Sequence, residues 1–264
     1  MLLAHISDLH VMPKGELAYG RVDSATMLRN AVAHLNRLTP RPDAVLISGD
    51  LATHGEPAAY AHMREILHSL AVRYFVIPGN HDDVDNFRIA FEDHSYLPRD
   101  GKFINYTIDE FPVRIVALDS IVRGRVRGDV CGERLDWLDR TLAERTDVPT
   151  IVMMHHAPIS SGLQHIDEVG MEGVAALEQV IARHPQVERI VCGHVHRAIV
   201  ARFGGTVLAS CPSTAHQGCV DLRTDGKDTF IMEPPGFQIH RWNGRSLHTY
   251  TLAIGQFAGP FPYL

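Results

Sequence analysis

The sequence lacks the features that mark disulfide-bonded, membrane-spanning and secreted proteins. Its four cysteines, Cys131, Cys192, Cys211 and Cys219, include no C-x-x-C pair, the spacing typical of structural zinc sites. It contains no run of ~18 apolar residues, so we expect no membrane span. The opening residues MLLAHISDLH carry no basic leading segment, which argues against a secretory signal. We therefore predict a soluble cytoplasmic protein without disulfides.

The chain also has no excess of positively charged residues. The 25 lysines and arginines are outnumbered by 31 aspartates and glutamates, which gives a net charge of −6. Because proteins that bind a nucleic-acid backbone usually carry a basic surface, we expect no nucleic-acid polymer as partner, although a local basic patch would escape this test. The chain has 264 residues, of which 45% are hydrophobic, and shows no repeat, low-complexity tract or long linker. We predict a single domain over residues 1–264.

Short apolar segments alternate with segments of helical periodicity along most of the chain. The predicted strands are Leu2–Ile6, Ala44–Ser48, Tyr74–Ile77, Val113–Leu118, Thr150–Met154, Arg189–Cys192 and Thr206–Ala209. The predicted helices are Ser24–Leu38, with Ser24 as N-cap, Ala58–Leu70, Glu133–Glu144 and Val174–Arg183. This alternation predicts a layered α/β fold. From about Gly218 onward the pattern is irregular, and Asn243-Gly244 predicts a two-residue β-hairpin turn.

Residues able to bind metals follow five of the predicted strands. Composition first draws attention to them, because the chain contains 17 histidines. The residues at the strand ends are Asp8 and His10, Asp50, Asn80 and His81, His155 and His156, and His194 and His196. In layered α/β proteins the loops after the strands converge at the carboxyl edge of the sheet. The sequence therefore predicts that these scattered residues meet in one metal site.

The local spacing of these residues supports the prediction. Asp8 and His10 are two residues apart in an extended segment, so their side chains can point to the same side. His194 and His196 repeat this spacing. Asp50 has no other ligand beside it, and is the natural carboxylate to bridge two cations. Glycines at 49, 79 and 193 precede ligands, as expected where the backbone turns sharply or approaches a site closely.

Each motif by itself also has an ordinary interpretation. Gly49-Asp50 alone is a common turn, and Gly-Asn-His-Asp at 79–82 alone can be a simple loop. Spacing does not choose between His155 and His156. Asp82 and Asp83 can orient neighbouring site residues or favour a helix N-terminus. Three arginines of one loop can reach a substrate phosphate or form a solvated basic loop, and they are Arg123, Arg125 and Arg127.

The ordered set D-x-H, G-D, G-N-H-D, H-H and G-H-x-H resembles the calcineurin-like metallophosphoesterases over residues 8–196. The opening MLLAHISD, RPDAVLISGD at 41–50, IPGNHDD at 77–83, MHHAP at 154–158 and FAGP at 257–260 look like the bacterial glycerophosphodiesterase and cyclic nucleotide phosphodiesterase branch. The similarity extends over nearly the whole chain and is less clear between about 84 and 130. It implies a sandwich of two mixed β-sheets flanked by helices.

The resemblance also implies roles for individual residues. One divalent metal would be held by Asp8, His10, Asp50 and His196, and a second by Asp50, Asn80, His155 and His194. His155 rather than His156 fits the ligand position, and His81 and Asn80 would contact the phosphate. His216 matches a substrate-side histidine, although it can also be an ordinary loop residue. The mixed oxygen and nitrogen donors suit Fe, Mn, Zn or Co better than Mg.

We therefore predict a dinuclear-metal phosphodiesterase that acts on glycerophosphodiesters and related small diesters, with attack by a metal-bridging hydroxide and His81 as the catalytic side chain. The alternative is a 3′,5′-cyclic nucleotide phosphodiesterase that acts on cyclic AMP. A non-catalytic protein-binding scaffold is remote, because all seven ligands are present. By resemblance, residues 218–250 form an oligomerisation or lid element of a homo-oligomer, with an edge hairpin as the alternative. His165 is left without an assigned role.

Overall fold

The computed structural model describes residues 1–263, so Leu264, the last residue of the predicted domain, lies outside the described residues. The described chain contains fifteen strands. In chain order they are β1 (Leu2–Ile6), β2 (Ala44–Ile47), β3 (Tyr74–Val76), β4 (Tyr106–Ile108), β5 (Arg114–Ala117), β6 (Gly128–Asp129), β7 (Thr150–Met153), β8 (Met171–Glu172), β9 (Val187–Cys192), β10 (Val200–Phe203), β11 (Thr206–Ser210), β12 (Gln217–Gly218), β13 (Phe230–Ile231), β14 (Gly236–Trp242) and β15 (Leu247–Ala253). All seven predicted strands are among them.

Six helices accompany these strands in residues 1–263. They are α1 (Ser24–Arg37), α2 (Pro57–Leu67), α3 (Val84–Ala90), α4 (Gly132–Ala143), α5 (Gln164–Val169) and α6 (Val174–Ala182). The sequence does not predict α3 and α5, because six or seven residues are too few for a helical period to show. The predicted N-cap of α1 is wrong: Asp23 precedes the helix, and its side chain accepts a hydrogen bond from Thr26 N at 3.0 Å. None of these helices is long and apolar enough to cross a membrane.

The strands form two large mixed sheets. The first has the order β15-β14-β1-β2-β3, with β1, β2 and β3 parallel and β14 and β15 antiparallel to their neighbours. The second has the order β10-β11-β9-β7-β5-β4, in which the four central strands are parallel. Two short ladders, β12 with β13 and β6 with β8, lie outside both sheets.

Side chains of the second sheet show how the layers are stacked. In β5, Ile115 belongs to the core shared with the first sheet, whereas its neighbour Val116 packs with α4 and α6. Ile151 and Val152 of β7 alternate in the same way. Because successive side chains of a strand point to opposite faces, one face of this sheet packs on the first sheet and the other on helices. The predicted sandwich of two mixed sheets flanked by helices is confirmed.

The C-terminal hairpin joins the first sheet. Strand β14 pairs with β1, and β15 forms the sheet edge. The turn is displaced by one residue from the predicted one: Asn243 N donates to Ser246 O at 3.3 Å, so Gly244 and Arg245 form the central pair, with Gly244 at φ +94°. Residues 236–253 thus match the edge-hairpin alternative, while an oligomerisation or lid role for 218–250 stays a prediction.

The carboxyl ends of the parallel strands of both sheets meet at one edge of the sandwich. After β1 and β2, Asp8 N donates to Gly49 O at 3.1 Å. After β7 and β9, Gly193 N donates to His155 O at 3.0 Å. The His155 ring connects the two sheets, because its Nδ1 donates to Ser48 O at 2.8 Å. The loops that carry the predicted ligands are therefore neighbours.

Candidate metal centre

Most of the predicted ligands share an unusual backbone conformation. Six non-glycine residues of the described chain have positive φ, and they are Asp8 (52°), His10 (46°), Tyr19 (53°), Asp50 (50°), His194 (69°) and His196 (52°). Such a conformation costs roughly 1–3 kcal/mol per residue and persists only where the surrounding structure imposes it. Five of the six are predicted ligands, so the strain is concentrated where the sequence places the site. The sixth, Tyr19, is not a predicted site residue.

The glycines that precede ligands allow the strand ends to approach each other. Gly49 has φ +100°, and a Cβ atom there would lie 2.5 Å from His155 Nδ1. A Cβ atom on Gly79 would overlap the Asp50 carboxylate, and one on Gly193 would overlap Ser7 Oγ. A side chain at any of the three would therefore push ligands apart. Gly49 is needed for its positive φ as well as for the close approach, whereas Gly79 and Gly193 are needed for the close approach alone.

The first predicted ligand group comes together as a cluster. Asp8, His10, Asp50 and His196 each offer an atom within 4.8 Å of the others. The Nε2 atoms of His10 and His196 are 3.1 Å apart. His10 Nε2 lies 3.6 Å from Asp50 Oδ2, and His196 Nε2 lies 3.6 Å from Asp8 Oδ1. His196 Nδ1 donates to His216 O at 3.0 Å, which leaves its Nε2 for a cation.

The second predicted group surrounds the side-chain oxygen of Asn80. Asn80 Oδ1 lies 3.0 Å from His155 Nε2 and 2.9 Å from His194 Nδ1. Asp50 Oδ1 lies 3.4 Å from His155 Nε2. The two carboxylate oxygens of Asp50 thus face different groups, Oδ2 the first and Oδ1 the second. This is the arrangement that a bridging carboxylate requires.

The two adjacent histidines after β7 have different surroundings. Because His155 Nδ1 donates to Ser48 O, the Nε2 atom of this ring remains for a metal. Both nitrogens of His156 are engaged: Nε2 donates to Val126 O at 2.9 Å, and Nδ1 accepts from Ser120 Oγ at 2.8 Å. His156 therefore packs beside the centre and fixes the loops around it. Spacing alone could not give this distinction, because it depends on Ser120, which follows β5.

The donor set fits divalent cations. The Nε2 atoms of His10 and His196 are 3.1 Å apart and lie beside two buried carboxylates. Among the described residues, no lysine or arginine side chain lies between these groups. A bound cation would therefore balance their negative charge and accept both nitrogen lone pairs. Adjacent ligands of an ion bound at about 2.0–2.2 Å lie roughly 3 Å apart, close to the separations found here. Seven residues can hold two cations, and they are Asp8, His10, Asp50, Asn80, His155, His194 and His196. We call these seven the floor.

The electrostatics of the ligand side chains also favour a cation. Burial opposes charge on His155, but the carboxylates of Asp50 and Asp8 and the hydrogen bond to Ser48 together outweigh it and raise the pKa of His155 to about 9. Burial lowers the pKa of His10 and His194 well below the ordinary value. The surroundings of His155 therefore favour positive charge at this ring, as expected of a metal ligand.

His81 and His216 lie at the cavity side of the floor. His81 N donates to Asp50 Oδ1 at 2.9 Å, and its Nδ1 donates to Thr53 O at 2.8 Å, which leaves Nε2 for a ligand. The His216 ring lies 4.5 Å from the ring of His196 and lines the same cavity. Burial lowers the pKa of His216 to about 3. Its position in the cavity favours the substrate-side role over an ordinary loop residue.

Asp82 and Asp83 each have one of the two roles that the sequence leaves open: Asp82 orients the loops of the site and Asp83 lies at a helix N-terminus. Asp82 is buried and accepts hydrogen bonds from Leu51 N, Ala52 N and Gly79 N, so it holds together the loops of Asp50 and Asn80. Burial raises the pKa of Asp82 to about 6. Asp83 caps α3 by accepting from Asn86 N at 2.8 Å.

A cavity of about 330 Å³ lies over the floor. The rest of its lining comes from loops, from α5 and from the short ladder of β12 and β13. Seven of these side chains, which we call the wall, are Tyr19, Val126, His165, Ile166, Val169, Asp228 and Phe230. The sequence missed these residues, except for His165, because they belong to no motif; here His165 Nε2 lies 3.4 Å from Asp228 Oδ1. The loop arginines do not line the cavity: Arg123 pairs with Asp85 and Arg127 with Glu172.

Comparisons with known proteins identify the family. The sequence model of the calcineurin-like phosphoesterases matches residues 1–198. A probable glycerophosphodiester phosphodiesterase GpdQ of Arcobacter nitrofigilis is 36% identical over 265 residues, covering 100% of this chain and 97% of that protein. A probable cyclic nucleotide phosphodiesterase of Synechococcus sp. is 34% identical over 249 residues, covering 93% and 94%. A dimetal phosphatase from Danio rerio has the same fold, with a TM-score of 0.64, 13% identity and coverage of 97% and 99%.

The family match includes every residue of the floor, and relatives of both predicted branches align with nearly the whole chain. The predicted resemblance is confirmed. The chain belongs to the calcineurin-like phosphoesterase family, whose members hydrolyse phosphate esters at a dinuclear divalent metal centre.

Proposed function

We propose that this chain is a phosphodiesterase that hydrolyses glycerophosphodiesters and related small diesters. The observation that carries the proposal is Asp50, whose two oxygens face two ligand groups beneath a cavity of about 330 Å³. This volume is near the lower end of ligand pockets, which favours a diester with short arms. A relative 36% identical over 265 residues carries the name probable glycerophosphodiester phosphodiesterase.

The floor would hold the two cations. Asp8, His10 and His196 would bind one, Asn80, His155 and His194 the other, with Asp50 shared. When bound, the cations supply Lewis-acid polarisation of the phosphoryl group and lower the pKa of water. The oxygen and imidazole donors favour Fe, Mn, Zn or Co.

The remaining groups of the site would position the diester and move a proton. His81 is held through Nδ1 by Thr53 O, so a protonated Nε2 can donate to a phosphoryl oxygen or to the departing alkoxide. Asn80 uses its Oδ1 toward two imidazoles, which leaves its amide nitrogen to donate to a phosphoryl oxygen. His216, beside His196, would contact the same substrate.

A cyclic nucleotide is the second candidate substrate. A relative 34% identical over 249 residues is named a probable cyclic nucleotide phosphodiesterase. The floor does not distinguish the two substrates, because both present one phosphodiester. A non-catalytic scaffold is disfavoured, because such a role would not require five residues to keep a strained backbone around a complete donor set.

We also propose that the protein is a homo-oligomer of the cytoplasm. Of 14 exposed large hydrophobic side chains in the described residues, nine lie between 200 and 263. Within 218–250, Val220, Leu222 and Met232 are exposed, while Asp228 and Phe230 line the cavity, so this segment would serve both as contact surface and as part of a lid. A light-scattering mass of one chain would contradict the oligomer, and cell fractionation tests the location.

A substrate panel on metal-defined protein tests the function. Protein loaded separately with Mn, Fe, Co or Zn is assayed with glycerophosphoglycerol, cyclic AMP, a 2′,3′-cyclic nucleotide and a phosphomonoester. We expect the highest kcat/KM for glycerophosphoglycerol. A higher value for cyclic AMP would select the second candidate, and no turnover with both metal positions filled would refute an enzyme.

A further inference from the structure

The wall combines negative charge with an absence of positive charge. Asp228 is 85% exposed and faces the cavity, with His165 of α5 as its neighbour. None of the 25 lysines and arginines contributes to the cavity lining described for residues 1–263. Outside the floor, Asp228 therefore favours a cationic substituent, and no lysine or arginine of the described lining is there to balance an anionic one.

Three aromatic rings share the cavity lining with this carboxylate, and its charge acts on one of them, Tyr19. The ring centroids of Tyr19, His216 and Phe230 are 5.0–5.6 Å apart, and all three rings line the cavity. Burial, followed by the charges of Asp50, Asp8 and Asp228, raises the pKa of Tyr19 to about 12. The Tyr19 ring is therefore a neutral phenol, held in a left-handed backbone conformation at φ +53°. Strain at this residue has no metal to explain it.

From this juxtaposition we propose that Asp228, Tyr19 and Phe230 form a subsite for an alkylammonium group on one arm of the diester. The inference rests on the proposed function, because the arm belongs to the same substrate. A carboxylate attracts the charge, and aromatic faces attract quaternary ammonium groups. Val126 and Val169 give apolar surface for the methyl groups of such an arm. A diester with a second phosphate on that arm would be disfavoured.

Competitive inhibition tests the subsite. Choline and its neutral isostere 3,3-dimethylbutan-1-ol are compared as inhibitors of bis(p-nitrophenyl) phosphate hydrolysis by metal-loaded protein. We expect choline to inhibit about threefold to tenfold more strongly than the isostere. Asp228→Asn should remove this preference, and Phe230→Leu should weaken choline while the metal content stays unchanged.

The matched control is Asp225→Asn, which makes the same charge change three residues away, at an exposed position outside the cavity lining. It should keep the preference for choline. Equal inhibition by the two compounds would overturn the subsite, as would an unchanged preference in Asp228→Asn or an equal loss in Asp225→Asn.

The test separates this inference from the proposed function. If bis(p-nitrophenyl) phosphate is not hydrolysed, the proposed function fails, and choline binding to the same metal-loaded protein is then followed by saturation-transfer NMR, which needs no turnover. Adenosine provides the competing occupant, because a neutral base can stack on the same rings. Tighter binding of adenosine than of choline, lost in Phe230→Leu but not in Asp228→Asn, would also overturn the subsite.

Discussion

The floor and the wall of the cavity are built in different ways. The floor is assembled from the ends of five strands in two sheets, and strained backbone holds five of its seven side chains. The wall comes from separate loops, from the short helix α5, which buries no residue, and from the segment between β12 and β13. The floor therefore has rigid support and the wall only local support.

Because of this difference, the floor should determine the hydrolytic reaction and the wall should determine the choice of substrate. Cations require several donors within a few tenths of an ångström, which strand ends of a packed sandwich can fix. A substrate arm can be recognised by side chains on loops, which can change without disturbing the sheets. Changes in the floor should therefore reduce activity toward every substrate, whereas changes in the wall should alter the ratio between substrates.

The largest effect should follow from Asp50→Ala in the floor. This change removes the carboxylate whose two oxygens face the two ligand groups, so both metals should bind more weakly and turnover of all diesters should fall by more than about 100-fold. Metal content by mass spectrometry and kcat/KM for two diesters measure this. Asp147→Ala, at an exposed position, is the control and should change neither. Normal metal content in Asp50→Ala would contradict the bridging role.

His81→Ala should keep both metals and lower kcat by about 100-fold, because a proton donor is lost while the floor is left intact. The loss should be smaller for bis(p-nitrophenyl) phosphate, whose leaving group needs less protonation. Comparison of kcat for that compound and for glycerophosphoglycerol measures the difference. An equal loss for both would remove His81 from leaving-group protonation.

Gly193→Ala tests whether close approach of the strand ends supports the floor. The new Cβ would overlap Ser7 Oγ and lie 2.8 Å from Asp8 Oδ2, so we expect the free energy of unfolding to fall by about 2 kcal/mol. Gly132→Ala is the control, because it meets nothing within 4 Å at the start of α4 and should be neutral or slightly stabilising. Urea unfolding measures both, and equal stability of the two variants would contradict this account.

The same contrast explains how much the sequence could predict. The seven strands that carry the core were found within two residues at each end, because buried strands are short apolar runs whose limits are marked by polar loops. The candidate floor could be predicted because its residues follow those strands in a fixed order. Its geometry is consistent with that expectation, while the assignment of each residue to a metal stays a proposal.

The wall could not be predicted, for a physical reason. Val126, Ile166 and Phe230 are apolar residues of loops or very short elements, so neither periodicity nor spacing distinguishes them from other surface residues. Their role depends on which loops become neighbours once both sheets have formed. Tyr19 carried no signal either, since its positive φ is visible only in the folded chain.

A buried histidine beneath the floor, His5, should make the stability of the protein depend on pH. His5 Nε2 lies 2.8 Å from Ser48 Oγ, which donates to Ser7 Oγ at 2.7 Å. This buried series of hydrogen bonds reaches the two loops that carry Asp50 and Asp8, because Ser48 and Ser7 directly precede the Gly49-Asp50 pair and Asp8. Burial lowers the pKa of His5 to about 3. Between that value and about 6.5, the His5 side chain binds more protons in the unfolded chain than in the folded one. The free energy of unfolding should therefore fall by about 2 kcal/mol between pH 7 and pH 5 because of this residue.

The variant His5→Gln should therefore lose less unfolding free energy than the parent chain over this pH range, by about 2 kcal/mol. Urea unfolding at pH 7 and pH 5 measures the difference. His248→Gln changes an exposed histidine and should keep the pH dependence of the parent chain. A parent-like slope in His5→Gln would show that burial of His5 does not contribute to acid sensitivity.

The smallest effect should come from the wall. Ile166 and Val169 lie on α5 and line the cavity without belonging to the floor, so replacing both with Ala should leave metal content unchanged. We expect the ratio of kcat/KM between glycerophosphoglycerol and cyclic AMP to change about twofold to fivefold, less than the tenfold or more of an enclosed pocket. Ile89→Ala, at an exposed position of α3, is the control and should keep the parent ratio. An equal fall of kcat/KM for both substrates would mean that α5 supports the floor. The division of roles between floor and wall would then not hold at this helix.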